Sequence, residues 1–278
     1  MKRAFLNPNQ YSAAFDFLMQ DTACNLYQID LLQRIRQNPF ALQEWKAIWD
    51  GNSICGLSLS TGRLKNGTPS GLSVSYGEED ACRILGEWER ECGGTQRILG
   101  QRTASDAFYE GLGRPETEFS YDERLYVCSE MPEDHPFLPL RPARSDELHI
   151  VEPMAALMQE EDLGYNPKEK DPEQHLRSVA IRIMHQRILI GEVDNDIGFM
   201  VEVGTRCSLG AQVGSAYVPP KFRRRGLGVR GMRGCCDYLL RDSAIVTLIA
   251  RESNTAAIRT HVRAGYSARA PFRMAFLR

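Results

Sequence analysis

The sequence lacks any apolar run near the ~18 residues that a helical membrane span needs. It lacks a signal-peptide apolar core, because MKRAFLNPNQYSAAFDFL turns polar within a few residues. It lacks an excess of charge of one sign. Against 34 Lys and Arg stand 36 Asp and Glu, for a net charge of −2, so no global field draws the chain to nucleic acid. Its eight cysteines, at 24, 55, 82, 92, 128, 207, 235 and 236, form no C-x-x-C pair. Adjacent cysteines such as Cys235 and Cys236 rarely bridge each other or chelate one zinc. These absences predict a cytoplasmic protein with reduced, buried thiols, no metal site, no membrane and no nucleic-acid partner.

What is present is ordinary globular composition, 42% hydrophobic and 25% charged over 278 residues. That length is a prior for two domains, each long enough for its own core. Residues 9–36 read as two helices with a cap at Asp21-Thr22. EWKAIWDGNSICGLSLSTGR reads as a hairpin around Asp50-Gly51-Asn52, and SGLSVSYG as a third strand. A helix follows in EEDACRILGEWERECGG, then a strand in GTQRILGQ and a capped helix in TASDAFYEGLG. Four prolines in MPEDHPFLPLRPA predict a boundary near residue 134, giving domains 1–133 and 134–278.

A second series then begins. SDELHIVEPMAALMQEEDLG predicts a helix capped by Ser145, GYNPKEKDPEQH a polar loop, and LRSVAIRIMHQR another helix. ILIGEVDNDIGFMVEVG predicts a hairpin around Asp194-Asn195-Asp196, and GAQVGSAYVPP a strand stopped by Pro219-Pro220. FRRRGLGVRGMRGCCDYLLRD is a turn into a helix, AIVTLIAR a strand, NTAAIRTHVRAGY a capped helix and PFRMAFLR a last strand. The two halves repeat one order of elements. Gly113 aligns with Gly265 at an offset of 265 − 113 = 152, which sets Tyr109 against His261 and Ser105 against Ala257. An internal duplication is expected.

The turn after the strand ending at Val218 is the main chemical candidate. A helix opening near Gly226 presents free N–H groups and partial positive charge, glycines at 226 and 228 leave room for an anion, and Arg223, Arg224 and Arg225 add charged donors. A solvated basic loop is the bland alternative. The Walker pattern G-x-x-x-x-G-K-[ST] is absent. Gly226, Gly228 and Gly231 do spell G-x-G-x-x-G, but only 278 − 228 = 50 residues follow, and the next strand ends in Arg251 rather than an acid.

R-x-x-G-x-G at 223–228, followed by N-x-x-A-x-x-x-[YH]-x-x-x-G-[FY] at 254–266, resembles the GNAT acyltransferase family. The resemblance covers about 134–278 and implies an α/β fold with a mixed sheet whose two central strands splay apart to hold acyl-CoA. The whole chain resembles two GNAT-like domains in tandem. It implies acetyl-CoA as acyl donor. Its pyrophosphate would meet the amides of residues 224–229 (Arg224, Arg225, Gly226, Leu227, Gly228, Val229), beside Arg223. Its pantetheine would lie along backbone near Tyr217 and Val218, with Asn254 beside that arm and Ala257 near the thiol.

The family commonly has tyrosine where this chain has His261, and that residue protonates the leaving thiolate. Histidine here suggests either the same acid role or simple packing. For the general base, Glu160, Glu161 and Asp162 crowd one helix end, with Glu202 and Glu252 as weaker candidates; Glu161 is the expected one. The N-terminal half has Glu78, Glu79 and Asp80 where the phosphate turn should stand, so it resembles a degenerate copy that repels pyrophosphate. The expected function is N-acetyl transfer to a primary amine of a small molecule, amino acid or peptide. The alternative is a silent acyl-CoA sensor or interaction protein.

Overall fold

The computed structural model describes residues 1–37, 43–63, 69–131 and 135–278. They cluster into two compact units. The first comprises Met1–Leu125, Ile249–Ser253 and Ala268–Arg278, the second Tyr126–Leu248 and Asn254–Ser267. The chain therefore returns to the first unit twice after residue 125. The boundary expected between 133 and 134 falls on residues outside those described.

The first unit runs β1 (Lys2–Phe5), α1 (Tyr11–Leu18), α2 (Thr22–Gln37), β2 (Gln43–Asp50), β3 (Ser53–Arg63), β4 (Pro69–Gly77), α3 (Glu79–Cys92), β5 (Thr95–Gln101), α4 (Arg102–Gly111) and most of β6 (Thr117–Cys128). Gly51, at φ +57°, lets β2 turn back into β3 within two residues. Period-two alternation sorts the strands. Leu57 and Leu59 are fully buried, while Ser58, Ser60, Ser73 and Ser75 share the other face. Small residues on that face let α3 come close. Its Glu89 reaches the fully buried Lys46 and also accepts from Ser60 at 3.2 Å and Thr95 at 3.0 Å.

Helices α3 and α4 touch backbone to backbone. A Cβ on Gly86 would sit 2.0 Å from the carbonyl oxygen of Phe108, and one on Gly111 2.0 Å from that of Arg83. The C-terminal residues complete this sheet, with Phe272 to Phe276 antiparallel to β5. Arg273 anchors them through Asp106 at 2.9 and 3.1 Å and Asp122 at 2.8 Å.

The second unit contains β7 (Arg141–Pro142), α5 (Leu148–Leu163), α6 (Pro167–Lys170), α7 (Pro172–Met184), β8 (Ile188–Val193), β9 (Asp196–Cys207), β10 (Gly210–Tyr217), α8 (Leu227–Leu239), the first half of β11 (Val246–Arg251), and α9 (Thr255–Arg263). The last strand, β12 (Ser267–Leu277), leads back to the first unit. The strand order here is β11-β10-β9-β8-β7. Asp194 and Asn195, at φ +54° and +62°, make the left-handed pair that a two-residue hairpin needs. Val151, Val179, Ile188, Ile190 and Met200 are among the buried residues of its core.

Four sequence expectations change. Ser145 does not cap α5; it opens a one-turn 3-10 helix, and Glu147 accepts from the Arg144 amide at 2.7 Å instead. The Arg141 guanidinium holds that Glu147 carboxyl down at about 2. GYNPKEKDPEQH is not a loop. Asn166 and Asp171 cap α6 and α7, each followed by a proline at the first helical position. Helix α4 has no side-chain cap. Strand β6 lies where no strand was expected, because Glu118, Asp122, Glu123 and Arg124 break the apolar alternation.

Candidate functional site

The turn and helix at 218–239 are built by local chemistry. Pro219 and Pro220 stop β10, and Pro220–Phe222 form one 3-10 turn with Phe222 buried beneath it. The chain then reverses through two left-handed residues, Arg224 at φ +61° and Gly226 at φ +74°. Gly226 is the N-cap of α8, and no atom lies within 4 Å of the place a Cβ would take. The first-turn N–H groups of α8 point out of the helix with no partner inside it. Gly228 stands in that first turn, where a Cβ would meet only the Thr260 methyl at 3.2 Å. Gly231 has a different task. A Cβ there would enter the Phe199 ring at 2.4 Å, so it permits helix-on-sheet packing.

Two of the three arginines are already engaged. Arg223 Nη2 lies 2.7 and 2.8 Å from the two oxygens of Glu161, Nε donates to the Val218 carbonyl at 2.9 Å, and the guanidinium covers the Tyr217 ring at 5.5 Å. Arg225 pairs with Asp194 at 2.9 Å. Among the described residues none pairs with the exposed Arg224. What this turn offers an anion is thus backbone amides, one uncommitted guanidinium, and two more that can exchange partners.

Next to it the sheet opens. Strand β10 pairs with β11 only at Ala211, Gln212 and Val213. From there to Tyr217 it keeps β9 alone as partner, through a bulge in which Ser215 takes φ +53°. One edge of residues 214–217 is left without a strand. Asn254 caps α9, its Oδ1 accepting from Ala257 at 3.1 Å. Gly265, at φ +105°, ends that helix, as Gly113 at φ +87° ends the matching one in the first unit.

His261 lies one turn beyond Ala257 on α9 and is buried against Tyr126 and Tyr266, with ring centroids 6.5 and 6.1 Å away. Its Nδ1 has no hydrogen-bond partner among the described residues. Burial pushes its pKa down to about 4, so the ring is neutral at pH 7. An imidazolium acid at neutral pH does not fit this environment. Glu161 is likewise not free, since both its oxygens face Arg223.

Sequence reasoning missed a cavity beside the bulge. About 220 Å³ in volume, it is lined by Ala155, Met158, Gln159 and Asp162 from α5 and Arg182 from α7. The sheet supplies Glu202 of β9, which stands opposite Gly214 in register, and Ser215. Arg182 Nη1 contacts Glu202 at 2.5 Å. Two of its residues, Asp162 and Glu202, were among the sequence candidates for the base.

In the first unit β4 likewise pairs with β5 only at Gly71, Leu72 and Ser73. Beyond them the Ser75 hydroxyl of β4 donates to the Ala104 carbonyl of α4 at 3.3 Å, and Cys82, Ala104 and Ala107 form a buried cluster. Glu78 and Glu79 occupy the start of α3, where the second unit has the glycine turn.

Residues 156–266 match the model of the acetyltransferase (GNAT) family. That match, almost wholly within the second unit, marks a GNAT-like domain there. Family members bind acyl-CoA and transfer its acyl group. A GNAT acetyltransferase from Colwellia psychrerythraea is similar in fold over 100% of both chains, with TM-score 0.60 at 9% identity. A tandem GNAT protein from the clavulanic acid biosynthesis pathway covers 99% of this chain and 98% of its own, with TM-score 0.56 at 14% identity. A GCN5-related N-acetyltransferase from Sphaerobacter thermophilus covers 99% and 94%, with TM-score 0.59 at 16% identity. The fold is mixed α/β with two GNAT-like domains in tandem. No curated protein matches the chain in sequence. Among the described residues no helix is long and apolar enough to cross a membrane, and no cluster of His, Cys, Asp or Glu could hold a metal ion.

Proposed function

We propose that the second unit is an N-acyltransferase that moves an acetyl group from acetyl-CoA to a primary amine. The observation that carries this reading is the opening beyond Val213, with the left-handed turn and glycine-capped helix at its mouth. The pyrophosphate would take the amides of residues 224–229 and the charge of Arg224, with Arg223 and Arg225 beside it. The pantetheine would lie along the unpaired edge of β10 at Tyr217 and along Val218 just after it, past Asn254, with the thioester near Ala257. Extended backbone without a strand partner suits the amides of that arm, which can pair with it as a strand would.

The roles of the two catalytic candidates shift in this reading. Glu161 acts on the phosphate turn through Arg223 instead of taking the amine's proton. Asp162, in the cavity beside the bulge where Glu202 is held by Arg182, receives the acceptor's ammonium and passes its proton to solvent. His261, neutral, offers an N–H to the departing thiolate, and the thiol proton comes from water. The first unit, with Ser75 bonded to the Ala104 carbonyl and acids at its helix start, takes no coenzyme A. A cytoplasmic setting, with reduced coenzyme A available, suits the reaction.

Isothermal titration with acetyl-CoA, followed by thiol release over a panel of amines, tests the proposal. Micromolar binding with turnover on at least one amine is expected. Tight binding with no turnover on any amine would mark a sensor.

A further inference from the structure

The cavity beside the β10 bulge has a charge pattern that selects among amines, an inference that rests on the acyl-transfer reading above. It holds two carboxylates, Asp162 and Glu202, against one guanidinium, Arg182. Arg182 and Glu202 are paired at 2.5 Å, and Arg182 Nε also reaches the Ser178 carbonyl at 3.3 Å. That pair neutralises itself. Asp162 is exposed and, among the described residues, has no ion-pair partner. The net charge facing a ligand is therefore one negative, on the exposed Asp162. The wall from Ala155 and Met158 is apolar, and Met158 adapts its shape readily.

We infer that the acceptor is a small primary amine carrying one positive charge and no carboxylate, its ammonium on Asp162 and its apolar body on Ala155 and Met158. A free amino acid would bring a second anion into a cavity whose only cation is already paired. Repulsion at a few ångströms in a partly dried site, or the loss of the Arg182–Glu202 pair, would then oppose it. The 220 Å³ of space admits a compact molecule.

L-Leucinol and L-leucine form the test pair, since they share the amine and side chain and differ in the carboxylate. With saturating acetyl-CoA, leucinol should be acetylated with at least about tenfold higher kcat/KM than leucine. Asp162→Asn, at an exposed site that does not endanger folding, should raise KM for leucinol about tenfold and leave the Kd for acetyl-CoA unchanged. Calorimetric binding of both compounds without acetyl-CoA gives a second readout that needs no turnover, and the same ranking is expected there. Equal or better use of leucine, no binding of either compound, or an unchanged leucinol KM in Asp162→Asn would overturn the inference. Leucinol binding in preference to leucine, with no acetyl transfer, would uphold the cavity's selectivity and sink the acyltransferase reading instead. Transfer to both compounds alike would do the reverse.

Discussion

Arg223 and Glu161 are 62 residues apart in sequence, and Nη2 of the first lies 2.7 and 2.8 Å from the two oxygens of the second. The pair ties the end of α5 to the turn that starts α8. Because both partners are partly exposed, it is worth at most about 1 kcal/mol. Glu161→Gln releases the guanidinium and removes a negative charge from the phosphate turn. The expected result is a Kd for acetyl-CoA lowered about two- to fivefold with kcat within about threefold of wild type. A kcat reduced by orders of magnitude at constant Kd would return Glu161 to the role of base.

Gly226 and Gly228 separate strain from access. Gly226 is held at φ +74° in open space, so Gly226→Ala meets no neighbour but costs about 1 kcal/mol of stability through its backbone. Gly228 lies in the first helical turn with only a methyl nearby. An acid is welcome there for the helix dipole and ruinous for a bound pyrophosphate. Gly228→Glu should thus keep its Tm within about 2 °C while acetyl-CoA affinity falls about 100-fold or more. Scanning calorimetry and titration on the two variants read both effects.

How far the site could be read in advance follows from how local each feature is. The Asn254 cap, the Gly265 stop and the Asp194-Asn195 turn are decided by a few adjacent residues, and all three stand in the structure. The Arg223–Glu161 pair, the Arg182–Glu202 pair and the contact of Gly86 with the Phe108 carbonyl join distant segments, so no local pattern announced them. The neutrality of His261 comes from burial, which spacing along a helix does not reveal. Strand β6 escaped because its first half is exposed and charged, and only Leu125, Tyr126 and Cys128 near its end are core residues. The return of residues 268–278 to the first unit is a property of topology alone.

The first unit should show the cost of a buried charge. Lys46 is fully buried on Glu89, with Glu44 at 2.8 Å and the Trp88 ring 5.6 Å from its Nζ. Removing only the cation leaves the buried Glu89 carboxyl with Ser60 and Thr95 but without its charge partner. Lys46→Met is expected to lose about 3–5 kcal/mol in urea denaturation, whereas Lys46→Met with Glu89→Leu should recover most of it. A double variant no more stable than the single one would show that the pair itself, not the orphaned charge, supplies the stability.

His261 makes the stability of the second unit depend on pH in one direction. In the fold its pKa is near 4, because burial opposes the charged ring; in the unfolded chain it returns to about 6.5. Above pH 6.5 the ring is neutral in both states and has no effect on the balance. As the pH falls from 6.5 towards 4, the unfolded chain takes up a proton that the fold refuses, and stability drops by up to about 3 kcal/mol. His261→Phe removes the titrating group and the unpaired Nδ1 together. The variant should be at least as stable as wild type at pH 7.5 and increasingly more stable than wild type towards pH 4.5, measured by denaturant midpoints at each pH. Its kcat for acetyl transfer should fall more than its acetyl-CoA affinity if the neutral ring supports the departing thiolate. An unchanged kcat would make His261 a packing residue, and parallel stability curves for the two proteins would show that the ring is not shielded from water.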